Sequence, residues 1–157
     1  DKDAVVASMM FAEMVCYYTA HDTSVYERLQ QLYDKYGFVF DVTESTVFEG
    51  LNAMRDMNAV VDNIKTVAVE ELGGLKVVAT RDYSSLVRKT AEGEEQSINC
   101  SPCNAVYFEL AGGGFVCVRP SGTEPKLKVY YSLPAENEVK AKMLFKKVKS
   151  DFEKLIK

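Results

Sequence analysis

The spacing of apolar and polar positions changes character repeatedly along this chain. Residues 4–18, AVVASMMFAEMVCYY, are apolar almost without relief, and the following SVYERLQQLYDKYG places Val25, Leu29, Leu32, Tyr33 and Tyr36 at helical intervals. These stretches predict a helical pair over residues 1–37. The second helix has marked ends: Ser24 with Glu27 three residues on is a capping box, and Gly37 follows the last periodic residue as a stop. The first lacks a polar face and reads as a buried helix.

From Phe38 the period shortens. FVFDVTESTVF reads as a strand, and after Gly50 the segment LNAMRDMNAVVDNI returns to helical spacing, with Leu51, Met54, Met57, Val60, Val61 and Ile64 on one face. TVAVEEL and LKVVATRDY flank Gly73-Gly74 and read as paired or sequential strands. Residues 84–104, with EGEEQS inside them, carry no period and are expected to form an exposed loop. AVYFEL, AGGG and FVCV read as a hairpin, which RPSGTEPK joins to the strand LKVYYS. Pro134 is expected to open a last helix with Leu144, Phe145, Val148, Phe152, Leu155 and Ile156 on its buried side and lysines on its solvated one. Strand, helix, several strands and helix over residues 38–157 predict an α+β unit: a small antiparallel sheet with helices packed on one face.

A chain of 157 residues, 47% of them apolar, accommodates one domain with a real core, or one domain carrying a piece of another. The net charge of −4 speaks against a general binder of nucleic acid or anionic membrane, so an anion site must be local. The apolar run at 4–18 is broken by Glu13 and falls short of the ~20 residues that span a bilayer; its acidic start is unlike a secretory leader. The expected location is the cytoplasm. An opening at Asp1 with a core-type helix directly behind it reads as a cut piece of a longer protein. Of the four cysteines, Cys100 and Cys103 form one CxxC; no second pair or spaced histidines complete a zinc set, and inert loop thiols are the expectation.

The surplus chemistry lies in RPSGTEPK, residues 119–126. A turn needs Gly122 and one proline; this one adds a guanidinium fork at Arg119, hydroxyls at Ser121 and Thr123, and a second stiffening proline. Two readings stand from residue types alone, a phosphate site and a rigid surface turn. Pro125 disfavours a helix cap at Ser121–Glu124, the spacing is not that of a Walker loop, and the single histidine, His21, is far along the chain from any serine nucleophile here. His21 itself reads as a solvated or capping residue, Glu94 and Glu95 as exposed charge, Gly112–Gly114 as a hairpin turn, and the tyrosines at 17, 18, 33 and 36 as packing.

At these residues the chain resembles a known family. VRPSGTEPKLKVYYS, with NAVYFEL and FVCV before it, is similar to the hairpin and loop of the C-terminal domain of the α-D-phosphohexomutases, the phosphoglucomutase and phosphomannomutase enzymes; the opening DKDAV is similar to their DKDG segment, with Ala4 where glycine is usual. The resemblance implies a TATA-box-binding-protein-like C-terminal domain at 38–157, preceded at 1–37 by a helical remnant of the third domain. It implies phosphate binding by Arg119, Ser121, Gly122 and Thr123, with Lys126 and Lys128 as further candidates. It implies also that the phosphoserine, the magnesium loop and the sugar-reading loop lie in missing N-terminal domains, so that the fragment holds no catalytic or metal residue and is inactive alone. The complete enzyme would interconvert hexose 1-phosphate and hexose 6-phosphate through a bisphosphate, with Mg2+ and a glucose 1,6-bisphosphate-type activator; glucose phosphate is the preferred reading, and phosphomannomutase or phosphopentomutase the alternatives. The remaining alternative is a non-catalytic protein-binding module. A phosphosugar is the expected partner, without nucleic acid or membrane.

Overall fold

The computed structural model describes residues 3–156. Two compact units divide the chain, Asp1–Phe38 and Val39–Lys157. In the first, α1 (Ala4–Ala20) starts at Asp3, whose carboxylate accepts the Val6 N–H, and α2 (Val25–Tyr36) starts at Ser24 with both bonds of the capping box formed. Gly37 closes α2 at φ 91, a conformation that costs a residue with a Cβ. The expectation of a buried α1 is overturned: none of its residues is buried, and Val5 and Met9 are 71% and 66% exposed. A helix apolar all round needs cover all round, whereas α2 supplies one neighbour.

In the second unit β1 (Phe38–Val47) leads to α3 (Ala53–Thr66), then β2 (Glu71–Leu72), β3 (Leu75–Asp82), β4 (Val87–Thr90), β5 (Glu95–Ser97), β6 (Val106–Leu110), β7 (Phe115–Pro120), β8 (Lys126–Ala135) and α4 (Glu138–Leu155). The strands form one sheet in the order β1-β8-β7-β6-β3-β4-β5, with β2 paired to β3 off that path. Every register resolved in it is antiparallel. Alternation is strict where it matters: Val106, Phe108 and Leu110 on β6, Val116 and Val118 on β7, and Leu127, Val129, Tyr131 and Leu133 on β8 are buried, and their neighbours face the other way. Met57, Val61 and Ile64 of α3 and Val148 and Phe152 of α4 complete this core. The unit is therefore α+β, with helices on one face of an antiparallel sheet, as the pattern predicts.

Four boundaries differ from expectation, each for a physical reason. Residues 84–104 are not all loop: β4 and β5 extend the sheet there, held by ladder pairs such as Arg81↔Arg88 and Arg88↔Gln96, which need no apolar period. The sheet is thus larger than expected. TVAVEEL is mostly not strand, because α3 runs on to Thr66 and β2 keeps only Glu71 and Leu72. Pro134 does not open α4: it lies in β8 beyond Phe115↔Ser132, the last β7–β8 pair, and Asn137 caps the helix by accepting the Lys140 N–H. Leu51 precedes α3 and is fully exposed rather than on its apolar face.

Candidate functional site

Strand alternation decides where the cations of residues 119–128 go. Val118 and Pro120 on β7 and Leu127 and Val129 on β8 turn into the core, so Arg119, Lys126 and Lys128 stand on the open face of the sheet, away from α3 and α4. The register sets Arg119 directly opposite Lys128. Like charges facing each other across a strand pair cost stability. None of the three has a carboxylate within salt-bridge reach among the described residues, although the chain as a whole is acidic.

The loop between the strands is held tightly. The Ser121 N–H donates to the Lys126 carbonyl at 2.8 Å and the Lys126 N–H to the Glu124 carbonyl at 2.8 Å, so the chain reverses over five residues. From outside, the Phe48 N–H donates to the Pro125 carbonyl at 2.8 Å, tying the segment after β1 to the loop. The Ser121 hydroxyl oxygen accepts from the Thr123 N–H at 3.4 Å, which leaves its hydrogen free to donate. The N–H groups of Gly122 and Glu124 have no acceptor among the described residues. Gly122 has no positive φ, and a Cβ built there meets no atom within 4 Å. The turn itself therefore does not require glycine; only an approaching ligand would. Arg119 and Lys128 share the open face at the loop end of β7 and β8, and the Ser121 hydroxyl and the free amides lie in the loop that joins those strands. Thr123 is exposed in the same loop, and Lys126 is half-buried at its exit.

Other residues share this face without having been singled out by the sequence pattern. Arg81 on β3 and Arg88 on β4 both reach Glu109 on β6: Arg81 Nε donates to Oε1 at 2.6 Å, Arg88 Nε to the same oxygen at 2.7 Å, and Arg88 Nη2 to Oε2 at 2.8 Å. The hydrogen bonds from Arg88, aided by those from Arg81, hold the Glu109 carboxyl down at about 2. The signal for this cluster lies in register, not in composition, since β4 is invisible to periodicity. The remaining candidates take the plain roles expected of them. His21 caps α1 and stacks on Tyr17 at 4.2 Å, Glu95 pairs with Lys89 at the edge of the sheet, and Cys100 and Cys103 are exposed free thiols. Among the described residues no group of three or more His, Cys, Asp or Glu is placed to hold a metal ion, and no helix is long and apolar enough to cross a membrane.

An α+β domain with a cationic loop joining two adjacent strands of its antiparallel sheet is the class that fold and site define. Residues 57–144, more than half of the chain and inclusive of the loop, match the phosphoglucomutase/phosphomannomutase C-terminal domain, and the chain belongs to that family. It is 33% identical over 138 residues to a phosphoglucomutase of Staphylococcus haemolyticus strain JCSC1435 and 34% identical over 138 residues to one of Staphylococcus aureus strain bovine RF122 / ET3-1. A phosphoglucomutase of Staphylococcus saprophyticus is 28% identical over the same length. Each similarity covers 87% of this chain but 25% of the relative, so the chain spans about a quarter of the length of the proteins it matches.

Proposed function

We propose that residues 119–128 form the substrate-phosphate clamp of a cytoplasmic phosphohexomutase, with phosphoglucomutase the preferred activity. The observation that carries this reading is the Arg119↔Lys128 pair, two like charges held face to face with no carboxylate beside them. A phosphate dianion relieves that repulsion. Arg119 offers two parallel N–H bonds and the Ser121 hydroxyl a third, while the free amides of Gly122 and Glu124 and the hydroxyl of Thr123 surround the remaining oxygens. The prolines hold these donors convergent before the ligand arrives, which lowers the ordering cost of binding.

In the complete enzyme a phosphoserine elsewhere would transfer its phosphoryl group to the sugar phosphate, and the resulting bisphosphate would return the other phosphoryl group. Within that cycle this loop grips the phosphate that is not reacting, and the binding energy orients the reacting end. A clamp that reads phosphate rather than sugar accepts both orientations of the bisphosphate. Among the described residues no acidic or histidine cluster fits the magnesium ion the family implies, and no step here passes through it. The family's phosphoserine loop is matched nowhere in this sequence, and the chain is proposed to be inactive alone. The family relatives acting on mannose or pentose phosphates remain the alternatives for the sugar. The exposed apolar surface of α1 favours a second reading, a non-catalytic protein-binding module.

Titration of the 157-residue chain with inorganic phosphate and with glucose 1,6-bisphosphate, followed by backbone amide shifts, separates the two. Shifts concentrated at residues 119–128 that weaken at least tenfold in Arg119→Ala are expected, since a charge-assisted hydrogen bond is worth about 1.5–3 kcal/mol. Gly122→Ala, which the loop accommodates, weakens binding without lowering stability. Titrations that Arg119→Ala leaves unchanged, or that shift nothing at millimolar ligand, favour the binding module.

A further inference from the structure

The open face of the sheet bears on what the phosphate is attached to. Ladder register aligns Arg81 with Tyr107, Tyr107 with Cys117, and Cys117 with Tyr130, so that one row of side chains crosses β3, β6, β7 and β8. The next row toward the loop holds Arg119 and Lys128; the next row away holds Phe115 and Ser132. Successive rows on one face are about 7 Å apart and neighbouring strands about 4.8 Å. Cys117, the smallest side chain of its row, therefore stands between two tyrosines about 10 Å apart, and the row dips there.

The dip is lined for an amphipathic occupant. Tyr107 is held in place by stacking on Phe115, centroids 4.6 Å apart, and by the Arg81 guanidinium 5.1 Å from its ring centre. Tyr130 is half-buried, and neither tyrosine hydroxyl enters a hydrogen bond among the described residues. Burial pushes the Cys117 thiol up to about 11, so the floor is a neutral thiol at physiological pH. Apolar walls, a neutral floor and two free hydroxyls at the rim suit a ring with C–H faces and a hydroxyl edge. A pyranose ring tethered to a phosphate at Arg119 would lie about one row away, which is where the dip is.

We propose that Tyr107, Cys117 and Tyr130 form a sugar shelf, on which the ring of a hexose phosphate rests over Cys117 while Arg119 and the 121–123 loop hold its phosphate. The proposal rests on the clamp reading above and adds to it the recognition of the sugar by this chain's own residues. The test compares two ligands, inorganic phosphate and glucose 6-phosphate, on the same protein. The native chain binds the sugar phosphate about three- to tenfold more tightly than inorganic phosphate, the range expected of aromatic contacts of about 0.5–1.5 kcal/mol. Cys117→Phe, which fills the dip, and Tyr130→Leu, which removes the ring and hydroxyl but keeps apolar bulk, abolish that preference and leave inorganic phosphate within about twofold of the native value. Tyr130→Phe preserves packing should the leucine variant unfold, and it loses only the share of the hydroxyl. A preference that survives these substitutions overturns the shelf while the clamp stands, as does a native chain with no preference; a native chain that fails to bind inorganic phosphate overturns the clamp, and the shelf with it.

Discussion

Glu109 shows what one carboxylate does between two guanidinium groups. Its side chain is 18% exposed, and Arg88 and Arg81 together hold its carboxyl at about 2, well below its ordinary value near 4.5. A depressed pKa contributes stability that is present above the ordinary value and lost as pH falls toward the folded one. The sheet is therefore expected to lose about 1–2 kcal/mol between pH 4.5 and pH 2, after allowance for the partial exposure of both arginines. Glu109→Gln should flatten that part of a stability–pH curve from chemical denaturation and leave two arginines facing each other at neutral pH. None of this was legible in the sequence. Glu109 is one of many acidic residues, and only the β3–β4–β6 register, partly built from a stretch with no apolar period, gathers the three. RPSGTEPK was legible because its donors are adjacent in the chain; the company they keep on the sheet was not.

Helices and strands with apolar faces announce themselves, and those sustained by backbone pairing alone do not. The burial of β6, β7 and β8 follows their alternation residue by residue, and the apolar side of α4 reaches the core at Val148 and Phe152. By contrast, β2 is two residues long and exists because Gly73-Gly74 turns the chain back on β3. At Gly73, φ is +63, the N–H donates to Asp151 Oδ2 at 2.9 Å, and an added Cβ would lie 2.5 Å from Val148 Cγ2 and 2.7 Å from its backbone nitrogen. The helix cannot yield there without losing its seat on the sheet. Gly73→Ala is accordingly expected to cost roughly 2–4 kcal/mol, read as a lowered denaturation midpoint with an unchanged slope. Gly74→Ala, which meets nothing within 4 Å, bears only the strain of its φ and costs less.

As a whole molecule the chain keeps its buried core in one of its two units. Every residue of the hydrophobic cluster lies between Met57 and Phe152, whereas α1 and α2 contain no buried residue. Removal of residues 1–37 is expected to leave the melting temperature of the remainder within about 3 °C, measured by circular dichroism, because its hydrophobic cluster is built from its own residues. The sheet also has an order of assembly written into it. The ladders β3–β4, β4–β5, β6–β7 and β7–β8 join neighbours in sequence, but β1 takes its place beside β8 from the far end of the unit, and its Glu44 meets Lys149 of α4, 105 residues further along. Closing so wide a loop sacrifices chain entropy before any contact repays it. The hairpins are therefore expected to form before β1 zips onto β8, which until then offers a bare edge to other chains. Because β1 leaves the ribosome well before β8, it must wait, unpaired, while most of the unit emerges.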